Sequence, residues 1–160
     1  MTKTSVLFVC LGNICRSPVA EGVFRAKLAE YGLEHDFEVD SAGTAAWHSG
    51  NPPDSRMIKT AANRGIDISG LRARQVTMDD FHQFDFILAM DYENLNNLQE
   101  IDPGIGKAQL GLYLEYAQDY QDKEVPDPYY GGDEGFHTVI NMVEDAAEGL
   151  IKILQNQPVK

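Results

Sequence analysis

Apolar residues follow two rhythms along this chain, and the two alternate from one end to the other. Residues 4 to 9 form a short continuous apolar run with β-branched Val6 and Val9, which predicts a strand buried on both faces. Ser17 is a good N-cap and Pro18 suits a first helical position, where its missing N–H would be unpaired anyway. A helix is therefore predicted from about residue 18, with Ala20, Val23, Phe24, Leu28 and Tyr31 on one face and Gly32 at its end. Phe37 to Ala42 reads as a second strand. Residues 43–54 are rich in Gly and Pro and hold the single tryptophan, Trp47. Pro53-Asp54 opens a helix to about Gly65, and Thr77 with Asp80 predicts a short capped helix. Phe84 to Met90 is a buried strand, Asp91 to Gln99 a helix, and Gln109 to Leu112 a strand. The last helix, about 134–156, carries Phe136, Val139, Ile140, Val143, Ala147, Leu150, Ile151 and Leu154 on one stripe.

Strands that alternate with helices imply an α/β fold: a mostly parallel central sheet of about four strands, with helices on both faces. A length of 160 residues fits one domain, 1–160, with a core of its own. Ligands of such sheets sit at the carboxyl ends of the strands. The segment at the end of the first strand is Cys10-Leu11-Gly12-Asn13-Ile14-Cys15-Arg16-Ser17.

That segment is laid out to bind an oxyanion. The first N–H groups of the following helix lack helical partners and lie at the positive end of its dipole. Gly12 and Asn13 tolerate positive φ, which lets successive N–H groups of residues 11 to 16 turn inward as a nest. Arg16 adds a planar fork of donors that matches two phosphate oxygens. Cys10 in these surroundings is favoured as a thiolate, Ser17 can donate to it, and a thiolate inside such a cradle can attack the bound anion. A lone strand-end cysteine is usually only a small hydrophobe, and Gly-Asn usually only a turn. The Cys-to-Arg spacing, the following serine and the strand–loop–helix setting favour chemistry.

An alkoxide or phenoxide leaving group needs a proton, so an acid should face the cysteine. The chain offers 25 carboxylates. Asp127 is favoured because Pro126 and Pro128 restrict its backbone, and Tyr129 and Tyr130 beside it could wall an aryl substrate. A plain surface turn is the alternative. Asp91 ends a strand near the same edge, for a structural or an electrostatic role. His48, alone in a polar loop, reads as solvated.

The segment VLFVCLGNICRSPVAEGVF resembles the signature of the low-molecular-weight protein tyrosine phosphatases. So do SAGT at 41–44, ARQV at 73–76, FDFILAMD at 84–91 and VPDPYYGG at 125–132, in the expected order over nearly all of the chain. The resemblance implies a phosphate-binding loop after the first strand and hydrolysis of phosphotyrosine and small aryl phosphates through a phosphocysteine. Cys10, Arg16 and Asp127 would then be catalytic. Leu11, Gly12, Asn13, Ile14 and Cys15 would bind substrate with Trp47, Tyr129 and Tyr130. For Trp47 the rival reading is a packed core tryptophan. The resemblance further implies that Asn13 and Ser41 prop the loop, and that a Cys10–Cys15 disulfide shields the nucleophile; Cys15 could equally just pack under the loop. Some family members have a histidine before ARQV that bonds the loop serine. Leu71 stands near that position here, so something else must hold Ser17.

Composition narrows the partners. A net charge of −12 argues against nucleic acid and against an anionic membrane surface. No apolar stretch approaches the roughly 20 residues of a membrane span, and the N-terminus does not read as a signal peptide. Both cysteines lie in the one loop, so no disulfide framework is expected and the chain reads as cytoplasmic. The expected partner is a phosphotyrosine-containing protein, the expected assembly a monomer or a weak self-associate, and no metal or other cofactor is expected. Three rivals use the same loop. Arsenate reduction needs further thiols, which this chain lacks. Phosphoarginine hydrolysis goes with Thr where Ile14 stands. A phosphocarrier would not need Asp127.

Overall fold

A computed structural model describes residues 3–129 and 131–155. Its elements follow the predicted order. They are β1 (Thr4–Cys10), α1 (Arg16–Glu30), β2 (Phe37–Gly43), α2 (Ser55–Ala62), α3 (Met78–Gln83), β3 (Phe86–Ala89), α4 (Tyr92–Ile101), β4 (Gln109–Leu112) and α5 (Asp133–Gln155). A 3₁₀ turn, Tyr113–Tyr116, follows β4 and has no counterpart in the apolar pattern.

The four strands pair in the order β2-β1-β3-β4, all parallel. The register runs from Thr4 opposite Phe37 to Cys10 opposite Gly43, and from Val6 opposite Phe86 to Val9 opposite Ala89. The chain leaves β1 toward β2 on one side, while β3 and β4 lie on the other. The carboxyl end of β1 is therefore the switch point of the sheet, where a ligand crevice opens.

Alternation along β1 divides the core. Val6, Phe8 and Cys10 face α1, α2 and α5, whereas Leu7 and Val9 pack with Phe81 of α3 and Leu98 of α4. This is why the strand reads as continuously apolar. Phe8 stands edge-on to Phe24 at 5.5 Å between ring centres and meets Tyr113 at 4.6 Å.

Three expectations need correction. Helix α1 starts at Arg16, so Ser17 lies within its first turn and does not cap it; the cap position is Cys15, which makes no side-chain capping bond. The Ser17 hydroxyl is engaged with Cys10 and Asn13 instead. Tyr31 is not on the apolar face. It follows the helix, half exposed, and its hydroxyl donates to Glu148 of α5 at 2.6 Å. Finally, β3 is shorter than Phe84 to Met90: the Phe84 N–H closes the end of α3 on the Asp80 carbonyl, and Asp85 bonds Ser5.

Helix α5 approaches the 3₁₀ turn so closely that a methyl at Gly149 would collide with the Tyr116 carbonyl. Gly149→Ala should therefore cost about 3 kcal/mol, while Gly70→Ala, with nothing within 4 Å of the added carbon, should cost less than about 0.5 kcal/mol. Urea unfolding of the two variants measures the contrast.

Candidate active site

Cys10 is the last residue of β1, and Arg16 the first of α1. Five residues between them turn the chain through one tight loop. Asn13 takes φ of 57°, the one non-glycine residue with positive φ among those described. The loop is pinned from outside: Thr44 and Ala45 donate N–H bonds to the carbonyls of Cys10 and Leu11, and Asp54 donates to that of Ile14 at 2.8 Å.

The Asn13 side chain organises the interior of the loop. Its Oδ1 accepts from the Arg74 N–H at 3.1 Å, and its Nδ2 donates to Ser17 Oγ at 2.7 Å and Ser41 Oγ at 3.1 Å. Ser17 Oγ lies 3.0 Å from Cys10 Sγ. Since Asn13 donates to Ser17, the one hydroxyl proton of Ser17 is free to point at the sulfur, or at the more distant Ala42 carbonyl at 3.4 Å. Ser17 is thus held by Asn13. Leu71 packs half-buried against the core and offers no donor.

Behind Ser41 stands a residue the sequence reading missed. Glu21 is 2% exposed and accepts from Ser41 Oγ at 2.8 Å and from Arg25 Nε at 2.9 Å. Burial pushes its carboxyl above the ordinary range, against the pull of those two donors. The signal was present: residues 17, 21, 24 and 28 fall on one helical stripe, so a glutamate there is a carboxylate aimed inward.

Arg16 is 3% exposed. One of its terminal nitrogens donates to Asp91 Oδ2 at 2.6 Å and to the Val125 carbonyl at 3.0 Å; the other lies 3.9 Å from Asp127 Oδ2. Burial would weaken its charge, but Cys10, Asp91 and Asp127 together outweigh that and hold it firmly protonated. Asp91 is also the N-cap of α4, accepting from Asn94 N–H at 2.8 Å. Asp127 has its side chain 41% exposed, and its Oδ1 accepts from the Tyr129 N–H at 3.0 Å.

A cavity of about 310 Å³ opens here, with Cys10 and Arg16 at its base, Leu11, Gly12, Ile14 and Cys15 around it, and Trp47, His48, Asp127 and Tyr129 at its mouth. Trp47 is 73% exposed, which removes the reading as a core tryptophan. His48 is half-buried over Gly12 rather than fully solvated. Asn13, Ser17, Ser41 and Asp91 lie behind the wall. Tyr130 lies outside the described residues. Two further residues escaped the sequence reading, Asp54 and Arg56, which sit between the loop and Tyr129. Among the described residues, no group of three His, Cys, Asp or Glu side chains could hold a metal ion.

Residues 5–160 match the family model described as low molecular weight phosphotyrosine protein phosphatase. A putative low molecular weight protein-tyrosine-phosphatase of Synechocystis is 45% identical over 155 residues, 96% of this chain and 98% of that one. The low molecular weight phosphotyrosine protein phosphatase of Schizosaccharomyces pombe is 46% identical over 154 residues, 95% of this chain and 98% of that one. A crystal structure of a protein tyrosine phosphatase from Entamoeba histolytica superposes with a TM-score of 0.92 at 42% identity, covering 96% of this chain and 97% of the other.

Both cysteines are free and buried, but their surroundings differ. Burial pushes the Cys15 thiol far above its ordinary range, and Asp54, Cys10 and Asp127 push it further. Cys15 is therefore expected to stay a neutral thiol and to react with iodoacetamide at least about tenfold more slowly than Cys10 at neutral pH. Inorganic phosphate should protect Cys10. Both cysteines fall in the tryptic peptide 4–16, whose fragment ions tell the two sites apart, and faster labelling of Cys15 would contradict the assignment.

Proposed function

The chain belongs to the low molecular weight phosphotyrosine protein phosphatase family, and we propose how its residues divide the work of the reaction. It is a protein-tyrosine phosphatase, a hydrolase of phosphotyrosine, the family's function. The observation that carries the assignment of residues is convergence: a cysteine sulfur, a buried guanidinium and a partly exposed carboxylate border the same cavity.

In the first step the Cys10 thiolate attacks phosphorus in line, forming the S–P bond as the P–O bond to the tyrosine oxygen breaks. The backbone N–H groups of residues 11 to 16 and the Arg16 guanidinium hold the equatorial oxygens. Protonated Asp127 gives its proton to the leaving phenol oxygen. In the second step water attacks phosphorus, the Asp127 carboxylate takes the water's proton, and the S–P bond breaks to return thiolate and phosphate. Phosphate ester and water become phenol and phosphate, with nothing left over. The nucleophile is a side chain and the developing charge meets Arg16 and the amides, so no step calls for a metal.

Trp47 and Tyr129 at the mouth suit an aromatic leaving group, and Ile14 beside the base keeps the site apolar there. Small aryl phosphates should enter as readily. The family match over 5–160 supports reading residues 1–160 as one phosphatase domain. Phosphotyrosine-containing proteins are the expected substrates of the family. The charge of −12 favours a soluble monomer or weak self-associate without nucleic-acid partners, and two free thiols favour the cytoplasm. Among the described residues no helix is long and apolar enough to cross a membrane.

Cys10→Ser should lower turnover of an aryl phosphate by about a thousandfold or more. Rapid quenching of the wild type should trap a phosphocysteine that decays as fast as turnover requires. Unchanged activity in the variant would remove Cys10 from the mechanism, and a long-lived phosphoenzyme would point to a carrier.

A further inference from the structure

Asp127 sits on an irregular segment, yet a general acid must be placed within a fraction of an ångström of the oxygen it serves. Before it the segment is anchored at Val125, whose N–H donates to the Met90 carbonyl and whose carbonyl accepts from Arg16. After it the attachment runs through the next peptides. The N–H of Tyr129 donates to Asp127 Oδ1 at 3.0 Å, and the carbonyl of Tyr129 accepts from the Arg56 guanidinium at 2.9 Å. One residue's backbone therefore orients the carboxylate on one side and is gripped by an arginine on the other.

Arg56 is itself held from three directions. Its fork meets Asp54 in two bonds, Nε to Oδ1 at 3.1 Å and a terminal nitrogen to Oδ2 at 3.0 Å. Its guanidinium lies 4.8 Å from the ring centre of Phe136 in α5 and 5.4 Å from that of Tyr129. Asp54, whose side chain is largely buried, caps α2 through the Arg56 N–H, and its own N–H donates to the Ile14 carbonyl of the anion loop. The path Ile14–Asp54–Arg56–Tyr129–Asp127 thus joins the nucleophile's loop to the acid's loop through the first turn of a helix.

We propose that Arg56 is a positioning residue for proton transfer: with Asp54 it fixes the Asp127 segment relative to the Cys10 loop. The proposal rests on the assignment of Asp127 as the acid. A fork is required, because lysine can reach one oxygen but cannot hold Asp54 in two bonds while gripping the carbonyl.

The test is single-turnover phenol release from aryl phosphates of rising leaving-group basicity, for wild type, Arg56→Met, Arg56→Lys, Asp127→Asn and the Arg56→Met/Asp127→Asn double variant. Arg56→Met should slow release of unsubstituted phenol about tenfold or more, and release of dinitrophenol, which needs no proton, less than about twofold. Inhibition by inorganic phosphate should move less than about twofold, since the cradle is untouched. In the Asp127→Asn background the Arg56 substitution should add nothing further to the loss of phenol release. Arg56→Lys should fall between wild type and Arg56→Met, and it keeps the experiment decisive if the methionine variant folds poorly. An equal loss for every leaving group, or a loss that multiplies with that of Asp127→Asn, overturns the positioning role. If Asp127→Asn itself shows no dependence on leaving group, the acid assignment fails and the clamp fails with it.

Discussion

A buried guanidinium organises this protein. Taking the charge of Arg16 out of water would cost several kcal/mol if it were left unpaired. The fold answers with Asp91 just beyond β3, the Val125 carbonyl from the segment that leads to Asp127, and Asp127 itself at the margin. Those partners are 75, 109 and 111 positions away along the chain. Their convergence helps set where the loop, the sheet edge and the Asp127 segment stand relative to one another. The site is thereby built before any substrate enters it, and a phosphate meets donors already oriented. Asp91 has a second function in the same geometry. As the N-cap of α4 it is fixed at both oxygens, one by a helix N–H and one by the arginine, so the ion pair has little freedom to relax.

A stricter constraint lies one layer deeper, in the counting of hydrogens. Asn13 must spend both protons of its amide on Ser17 and Ser41, and it can do so because its oxygen is taken by the Arg74 N–H. Ser41, receiving one bond, passes its own proton to Glu21. Ser17, also receiving one, has its proton left for the sulfur. The order of donors is therefore fixed outward from Asn13 in both branches. Glu21 is the terminus that allows the first branch to run this way, and Arg25 at the helix surface balances its charge. The loop's shape depends on the same residue, because Asn13 occupies the left-handed region that a short polar side chain tolerates.

What could be read from the chain and what could not separate along physical lines. Strand β1 was legible because both of its faces are buried, and the anion loop because a strand end, a turn-tolerant pair and an arginine at a helix start act locally. Asp127 stood out as a residue of the cavity because two prolines mark it. Ser17 was misread as a cap since capping preference is local, whereas its bonds go to Cys10 and Asn13. Tyr31 was misread because helical periodicity cannot tell the last core position from the first residue beyond the helix. Arg56 and Arg74 were invisible as site residues: Arg56 acts on the Tyr129 carbonyl and Arg74 through its backbone N–H on Asn13, both far along the chain, and an arginine near an aspartate is ordinary surface composition.

The two cysteines show how far the surroundings, rather than the residue type, decide the chemistry. Cys15 occupies the N-cap position of α1, where the helix field alone would favour a thiolate. It is pushed the other way, first by burial and then by the negative charges of Asp54, Cys10 and Asp127, with Arg56 opposing them. Cys10 instead ends a strand, with Ser17 beside its sulfur and Arg16 sharing the cavity. Two thiolates so close would repel each other in a poorly screened site, so ionisation of one works against ionisation of the other. The carboxylates of Asp54 and Asp127 therefore act on Cys15 besides accepting their own hydrogen bonds, from the Arg56 and Tyr129 N–H groups. Together with burial, which acts first, they keep the second thiol neutral.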